Sequence, residues 1–251
     1  GMVYRATHLR TGRPYAVKVL LPDARLSPTA LERFRREALA ASSLRHPGIV
    51  GVHDFDVTPE GLNYIVMDLL EGEPLEDLLG RRGALPWPEA SRMIHQLCGA
   101  LSVAHDAGIL HRDIKPGNIF ITKARNEEDR PVLLDFGLAK PLDSADDKLT
   151  RTGAVLGTPL YMAPEQARGE PVDRRSDIYS LGAVFYELLA GSPPFYEPTL
   201  AAVYAKLLND EPDKVSDSAD QEIPPGLDSV IEAMMAKKVE ERFESVDAVS
   251  N

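Results

Sequence analysis

The stretch His111-Arg112-Asp113-Ile114-Lys115-Pro116-Gly117-Asn118 decides how this chain is read. Within eight residues it sets a carboxylate, an ammonium and an amide, just after an amphipathic helical pattern and just before an apolar run. Phosphoryl transfer asks for these groups together: a base for the acceptor hydroxyl, a cation against the moving charge, and an oxygen ligand for a metal ion. Asp113, Lys115 and Asn118 offer base, counter-charge and ligand at one place.

Downstream, Ile119-Phe120-Ile121 and Val132-Leu133-Leu134 predict a strand pair joined by the polar loop Lys123 to Arg130. Asp135-Phe136-Gly137 follows the second strand, so its carboxylate emerges at a strand end where a glycine permits an unusual turn. Turns often carry Asp and Gly, and the tripeptide gains its weight from lying downstream of the 111–118 loop. Upstream, Pro86 and Pro88 precede a predicted helix from Glu89 to Ala107 that Gly108 can stop, with Ala90, Ile94, Leu97, Leu101 and Ala104 on its apolar stripe. Ser176 to Ala190 is apolar nearly all round and predicts a buried helix, with Asp177 near its start and Gly191 as its stop. His111, beside Leu110, reads as a satisfied core residue rather than a catalytic one.

Towards the N-terminus, Met2 to Leu21 predicts two strands around a turn at Arg10-Thr11-Gly12-Arg13, with Ala16, Lys18 and Leu20 on one face of the second. A lysine in that run is either an exposed edge charge or a cation aimed into a cleft. Thr29-x-x-Glu32 is a capping box, and Leu31, Phe34, Ala38 and Ala41 form a helical stripe with Glu37 at its border, where it can face Lys18. After His46-Pro47-Gly48, Ile49 to Val57 and Leu62 to Leu69 predict two more strands, and helical periodicity takes over from Glu73 onward.

Composition narrows the partners. A chain of 251 residues fits one large domain or two lobes sharing a cleft. The formal charge of −11 opposes non-specific attraction to nucleic acid or anionic lipid, despite a local patch of Arg33, Arg35 and Arg36. Cys98 is the only cysteine, which excludes disulfides and cysteine-rich metal sites within one chain and fits a reducing, cytoplasmic setting. No apolar run approaches the roughly 20 residues that span a bilayer, so no membrane contact is expected from these residues.

Taken in order, Lys18, Glu37, the 111–118 loop, Asp135-Phe136-Gly137, Ala163-Pro164-Glu165 and Arg242 resemble the catalytic domain of protein kinases. The runs Lys115-Pro116-Gly117-Asn118 and Met162-Ala163-Pro164-Glu165-Gln166-Ala167-Arg168-Gly169 are most similar to bacterial eukaryotic-like serine/threonine protein kinases, and the resemblance covers essentially the whole chain. It implies a two-lobed α+β fold with an N-lobe at 1–67, a hinge at 68–72 and a C-lobe at 73–251. It also implies ATP and Mg²⁺ as cofactors, transfer to Ser or Thr of protein substrates, and a homodimer for autophosphorylation.

The same resemblance assigns the residues. Lys18, positioned by Glu37, would hold phosphates, and Gly1, Val3, Ala16, Met67, Asp68, Leu70 and Phe120 would surround the nucleotide. Asp113 would be the base, Lys115 the counter-charge, and Asn118 with Asp135 the Mg²⁺ ligands. The segment between Asp135 and Glu165 would be an activation segment: a phosphate on its Thr150 or Thr152 would pair with Arg112, a cation otherwise left without a partner, while Thr158 would contact Asp113 and Lys115. Asp177 would hold the catalytic-loop backbone and Arg242 would pair with Glu165.

Two departures stand out. The family's glycine-rich loop is present only as its tail, Gly1 and Val3, which predicts weaker ATP affinity than a longer chain would have; Val239 stands where a proline is usual. A catalytically silent kinase-like module would not need Lys18, Glu37, Asp113, Asn118 and Asp135 together, and a small-metabolite kinase would not need the Glu165 and Arg242 closure.

Overall fold

The turn at Arg10-Thr11-Gly12-Arg13, with Gly12 in the left-handed region at φ 70°, reverses the chain between β1 (Met2–Thr7) and β2 (Pro14–Val19). The computed structural model describes residues 2–19, 42–123, 129–136 and 159–250. β3 (Val52–Val57) and β4 (Asn63–Met67) complete an antiparallel sheet of order β1-β2-β4-β3. Its register sets Ala16 opposite Met67 and Lys18 opposite Ile65. Ala16, Val50, Val52, Ile65 and Met67 make a small core that Val132 joins from the other lobe.

The predicted strand from Ile49 begins only at Val52. Ile49 bridges Leu133 in parallel instead, with Val50 N–H donating to Leu133 O at 3.0 Å and Leu133 N–H to Gly48 O at 2.8 Å. The apolar run is one in sequence but is divided between two sheets, and a register shift between Val52 and Asp54 marks the irregular entry.

The second sheet has the order β5-β6-β7, from Gly72–Pro74, Ile119–Thr122 and Arg130–Leu133. Helix does not take over at Glu73: Gly72 to Pro74 pair with Thr122 to Phe120, and α1 runs Leu75–Arg82. Pro74, extended at ψ 146°, is the residue at which strand becomes helix. α2 (Trp87–Asp106) starts two residues before the expected Glu89, so Pro88 lies in its first turn, where a missing N–H costs nothing.

Five further helices follow: α3 (Pro164–Arg168), α4 (Arg174–Ala190), α5 (Leu200–Asn209), α6 (Val215–Ser218) and α7 (Leu227–Met234); α8 (Val246–Ser250) ends the described chain. α4 is the axle of the larger lobe. The Asp173 carboxylate accepts from Arg175 N–H at its start, Gly191 closes it at φ 78°, and nearly every residue between is buried. α2 packs on α4, α8 and β7. Leu44 and Ile49, which precede β3, are buried in this larger core. The protein is thus α+β in two lobes, a small antiparallel sheet against a mainly helical body. Among the described residues no helix is long and apolar enough to cross a membrane.

Candidate active site

The loop after α2 is hung from α4. Asp177, 1% exposed, accepts from His111 N–H and Arg112 N–H at 2.8 Å each and from His105 Nε2 at 2.8 Å. Its place in the first turn of α4 also sets its charge against the helix dipole. Arg112 takes a left-handed φ of 64°, which costs a non-glycine residue about 1–2 kcal/mol. Arg112, expected to lack a partner without a phosphate beside it, is not without one.

His111 is fully buried, with Nε2 donating to Leu134 O at 2.8 Å and Nδ1 accepting from Asp113 N–H at 3.3 Å. Only the neutral Nε2–H tautomer makes both bonds, and burial pushes its pKa below the ordinary value. Its ring packs on Phe136 at 4.7 Å. The ring positions backbone and leaves proton transfer to others.

Asp113 Oδ2 accepts from Lys115 Nζ at 2.7 Å and from Asn118 Nδ2 at 2.8 Å. Asn118 Nδ2 also donates to Asp113 O at 2.8 Å, so the amide's acceptor oxygen is turned from that loop. A single 3₁₀ turn, Pro116–Asn118, leads from this cluster into β6, and Leu134 N–H donates to Asn118 O at 2.9 Å. Asp135 therefore starts one residue from the loop. It too is left-handed, at φ 52°.

From the small lobe, Lys18 Nζ reaches Asp135 Oδ2 at 2.5 Å, and both side chains are 21% exposed. Of the two readings of Lys18, the cation aimed into the cleft is the one found. Its expected partner Glu37 lies outside the described residues, as do Gly1, Thr150, Thr152 and Thr158. Beside the pair, Ile49, Val50, Val52, Ile65, Met67 and Phe136 line a small apolar cavity.

The remaining nucleotide-facing candidates sit round the same cleft. Ala16 and Met67 are buried partners in register, and Leu70 packs against their cluster. Phe120 is half-buried on β6 between Pro74 and Val132. Val3, opposite Lys18, is 62% exposed. The Asp68 side chain is occupied elsewhere: Oδ1 meets His53 Nε2 at 2.6 Å and Oδ2 accepts from Gly51 N–H at 3.2 Å. Its backbone N–H is engaged as well, donating to Gly51 O at 2.9 Å.

On the far side of the loop, Glu165 is 2% exposed and takes both oxygens of its carboxylate to Arg242, at 2.7 and 2.8 Å. Ser176 Oγ donates to the same carboxylate at 2.6 Å. Burial pushes the Glu165 pKa up, but these donors outweigh it and hold the carboxyl below its ordinary value. Tyr161 O–H donates to Glu187 at 2.6 Å, and burial raises both their pKa values.

Sequence reasoning left out two residues of this neighbourhood. His105 lies in the last turn of α2, outside the predicted apolar stripe, and its imidazole is bonded to Asp177. Gln166 donates to Arg112 O at 2.9 Å; its place three residues into an Ala-Pro-Glu-Gln helix start was the available signal.

The donor set suits Mg²⁺. Among the described residues no three His, Cys, Asp or Glu side chains are grouped for a metal, whereas Asn118, which accepts from Leu134 N–H through its carbonyl, adjoins Asp135 along the backbone, so an amide and a carboxylate are the oxygen donors available. Such a sparse set fits an ion that keeps waters and takes the rest of its shell from phosphates.

Comparison with known proteins gives the same picture. The family model described as "Protein kinase domain" matches residues 1–251. The chain is 42% identical over 246 residues to "Serine/threonine-protein kinase PknB" of Mycolicibacterium smegmatis, covering 97% of this chain and 39% of that protein. It is 39% identical to "Serine/threonine-protein kinase pkn3" of Myxococcus xanthus, covering 99% and 46%, and 41% identical to "Serine/threonine-protein kinase PknA" of Mycobacterium tuberculosis, covering 98% and 56%. The chain thus spans about two-fifths to just over half of the relatives it matches. A crystal structure of the Mycobacterium tuberculosis PknI kinase domain, a double mutant, superposes with a TM-score of 0.76 at 30% identity, covering 99% of this chain and 87% of that one. With a family model matched from end to end and one cleft gathering two ammoniums, two carboxylates and an amide, the chain belongs to the protein kinase family.

Proposed function

We propose that this chain transfers the terminal phosphoryl group of ATP to Ser or Thr hydroxyls of protein substrates, its own activation segment among them. The observation that carries the reading is the meeting of Lys18 with Asp135 across the lobes, one residue from the strand end bonded to the Asp113, Lys115 and Asn118 cluster. ATP would lie in the cleft with its base against Ala16, Met67, Leu70 and Phe120, within reach of the hinge backbone at Asp68 and Leu70. Mg²⁺, when bound, supplies a Lewis acid that neutralises phosphate charge, and Asn118 and Asp135 would hold it.

The chain's own groups divide the rest of the work. Asp113, whose Oδ2 accepts from Lys115 and Asn118, orients the acceptor hydroxyl and takes its proton. Lys115, half-buried beside it, offsets charge on the moving group. Lys18 supplies the cation of the opposite wall. Arg112, Thr150, Thr152 and Thr158 would tie activation-segment phosphorylation to the loop, and pairing of two copies would allow that transfer between chains. A cytoplasmic setting agrees with the reduced Cys98.

The test is mass spectrometry after incubation with Mg²⁺ and ATP. Phosphate is expected on Thr150 or Thr152 in the wild type, none in Lys18→Met, and a rate about 10²- to 10⁴-fold lower in Asp113→Asn with nucleotide binding kept. An Asp113→Asn protein as fast as wild type overturns the assignment of the base, and phosphate accumulating equally in Lys18→Met overturns the kinase reading.

A further inference from the structure

We infer that Gln166 is a positioning residue for the phosphoryl-transfer reaction: its amide orients the peptide plane from which Asp113 departs. The inference rests on the reading of Asp113 as the base. Gln166 is half-buried in the first turn of α3, directly after Glu165. Its amide bonds in two directions, with Oε1 accepting from Ala163 N–H at 3.0 Å and Nε2 donating to Arg112 O at 2.9 Å. A backbone N–H can only donate and a carbonyl can only accept, so these two partners fix which end of the amide points where.

The carbonyl of Arg112 belongs to the same planar peptide unit as the N–H of Asp113. That unit is gripped at both ends: the oxygen by Gln166, the N–H by His111 Nδ1 at 3.3 Å. The residue before it is the left-handed Arg112, whose own N–H is held by Asp177. A strained residue next to the base has a lower-energy rotation available, and that rotation would swing the Asp113 carboxylate away from Lys115 and Asn118. Asp177 holds the near side of Arg112 and Gln166 the far side. Because Glu165 is locked to Arg242 and Ser176, Gln166 is presented from a rigid support. The end of the activation segment and the catalytic loop are therefore joined through one side chain.

Gln166→Glu separates this role from simple helix capping. A glutamate keeps the acceptor for Ala163 N–H and suits the first turn of a helix, so a capping role predicts equal or greater stability and unchanged transfer. It loses the donor to Arg112 O and sets a negative charge against that carbonyl. Initial rates of transfer from Mg²⁺-ATP to casein would be measured on the whole protein for wild type, Gln166→Glu, Gln166→Met and Asp113→Asn, with thermal unfolding alongside. The expected result is a kcat lower by about 10- to 100-fold in both Gln166 variants, with the KM for ATP within about twofold and, for Gln166→Glu, no fall in unfolding midpoint.

Wild-type kcat in Gln166→Glu would overturn the inference, and so would a loss of kcat that tracks a loss of midpoint. Asp113→Asn reads the underlying assumption separately. If it is slow while Gln166→Glu is not, the positioning role alone fails; if it is as fast as wild type, the base assignment fails first.

Discussion

Replacing Arg242 by methionine tests what closes the larger lobe. The arginine is 4% exposed and donates to both oxygens of Glu165, at 2.7 and 2.8 Å, and to the carbonyls of Ala236 and Arg175, at 2.7 and 3.1 Å. Its guanidinium lies 4.9 Å from the Tyr179 ring, a contact that a methionine side chain can largely keep. What is lost is charge and donors, not volume. Glu165 would be left as a buried carboxylate with the Ser176 hydroxyl as its remaining side-chain donor of those found here. Breaking a buried ion pair by removing one partner costs about 3–5 kcal/mol, and the stranded carbonyls place this case towards the upper end. For a chain of this size each kcal/mol moves the unfolding midpoint by about 2–4 °C, so a fall of about 10–20 °C is expected in calorimetry at neutral pH. Glu165→Met added to Arg242→Met removes the stranded charge and should recover part of that fall. A loss below about 1 kcal/mol in the single variant, or a double variant no better than the single, would refute the argument.

Three further outcomes follow from single contacts. Glu165 is held below its ordinary pKa of 4.5, so its share of stability is present above that pH and is lost as pH falls through the lower folded value; unfolding midpoints of Glu165→Gln should therefore decline less than wild type on acidification below about 4.5. Gly182→Ala in α4 would set a methyl 2.8 Å from Met234 Cβ and 2.9 Å from Met235 Cγ, and the overpacking should outweigh the gain in helix propensity by about 1–2 kcal/mol in urea unfolding. Cys98 is 1% exposed and burial pushes its thiol up to about 11, so iodoacetamide at pH 8 should label it only in denaturant; rapid labelling of the folded protein would contradict its place in the core.

Most of the fold could be read where a pattern is local. The helix stripe of α2, the buried run of α4, the Gly108 and Gly191 stops, and the strands flanking the 111–118 loop are repeats or caps confined to a few turns of chain. The reading failed where two sheets compete for one apolar run. Ile49 to Val50 go to β7 rather than β3, and the short strand Gly72–Pro74 owes its conformation to β6, far away in sequence. At the site, the residue types were legible but their partners were not. Nothing in the sequence around Lys18 says that Asp135 lies 117 residues on and within hydrogen-bond reach, nor that Asp68 turns its side chain to His53. Gln166 was legible as a residue of a helix start, but its partner was not: it bonds a backbone carbonyl, which has no residue type to read.

Four hydrogen bonds close a ring under the site. His111 Nε2 donates to Leu134 O, Leu134 N–H to Asn118 O, Asn118 Nδ2 to Asp113 O, and Asp113 N–H returns to His111 Nδ1. Asp113 is a member of this ring and Asp135 is the next residue after Leu134, so both carboxylates hang from one frame. Links that polarise one another tend to rise or fall together, so the ring ties the spacing of the two acids to one frame within the larger lobe. The left-handed Arg112 and Asp135 flank the frame, and each stores about 1–2 kcal/mol that its neighbours must offset. Asp177 and Gln166 do so for Arg112; Lys18 is the described side-chain partner of Asp135. Lys18 comes from the other sheet, so closing the cleft and restraining Asp135 are one event: whatever moves β2 away from the larger lobe withdraws the counter-charge from an acid whose backbone is already strained.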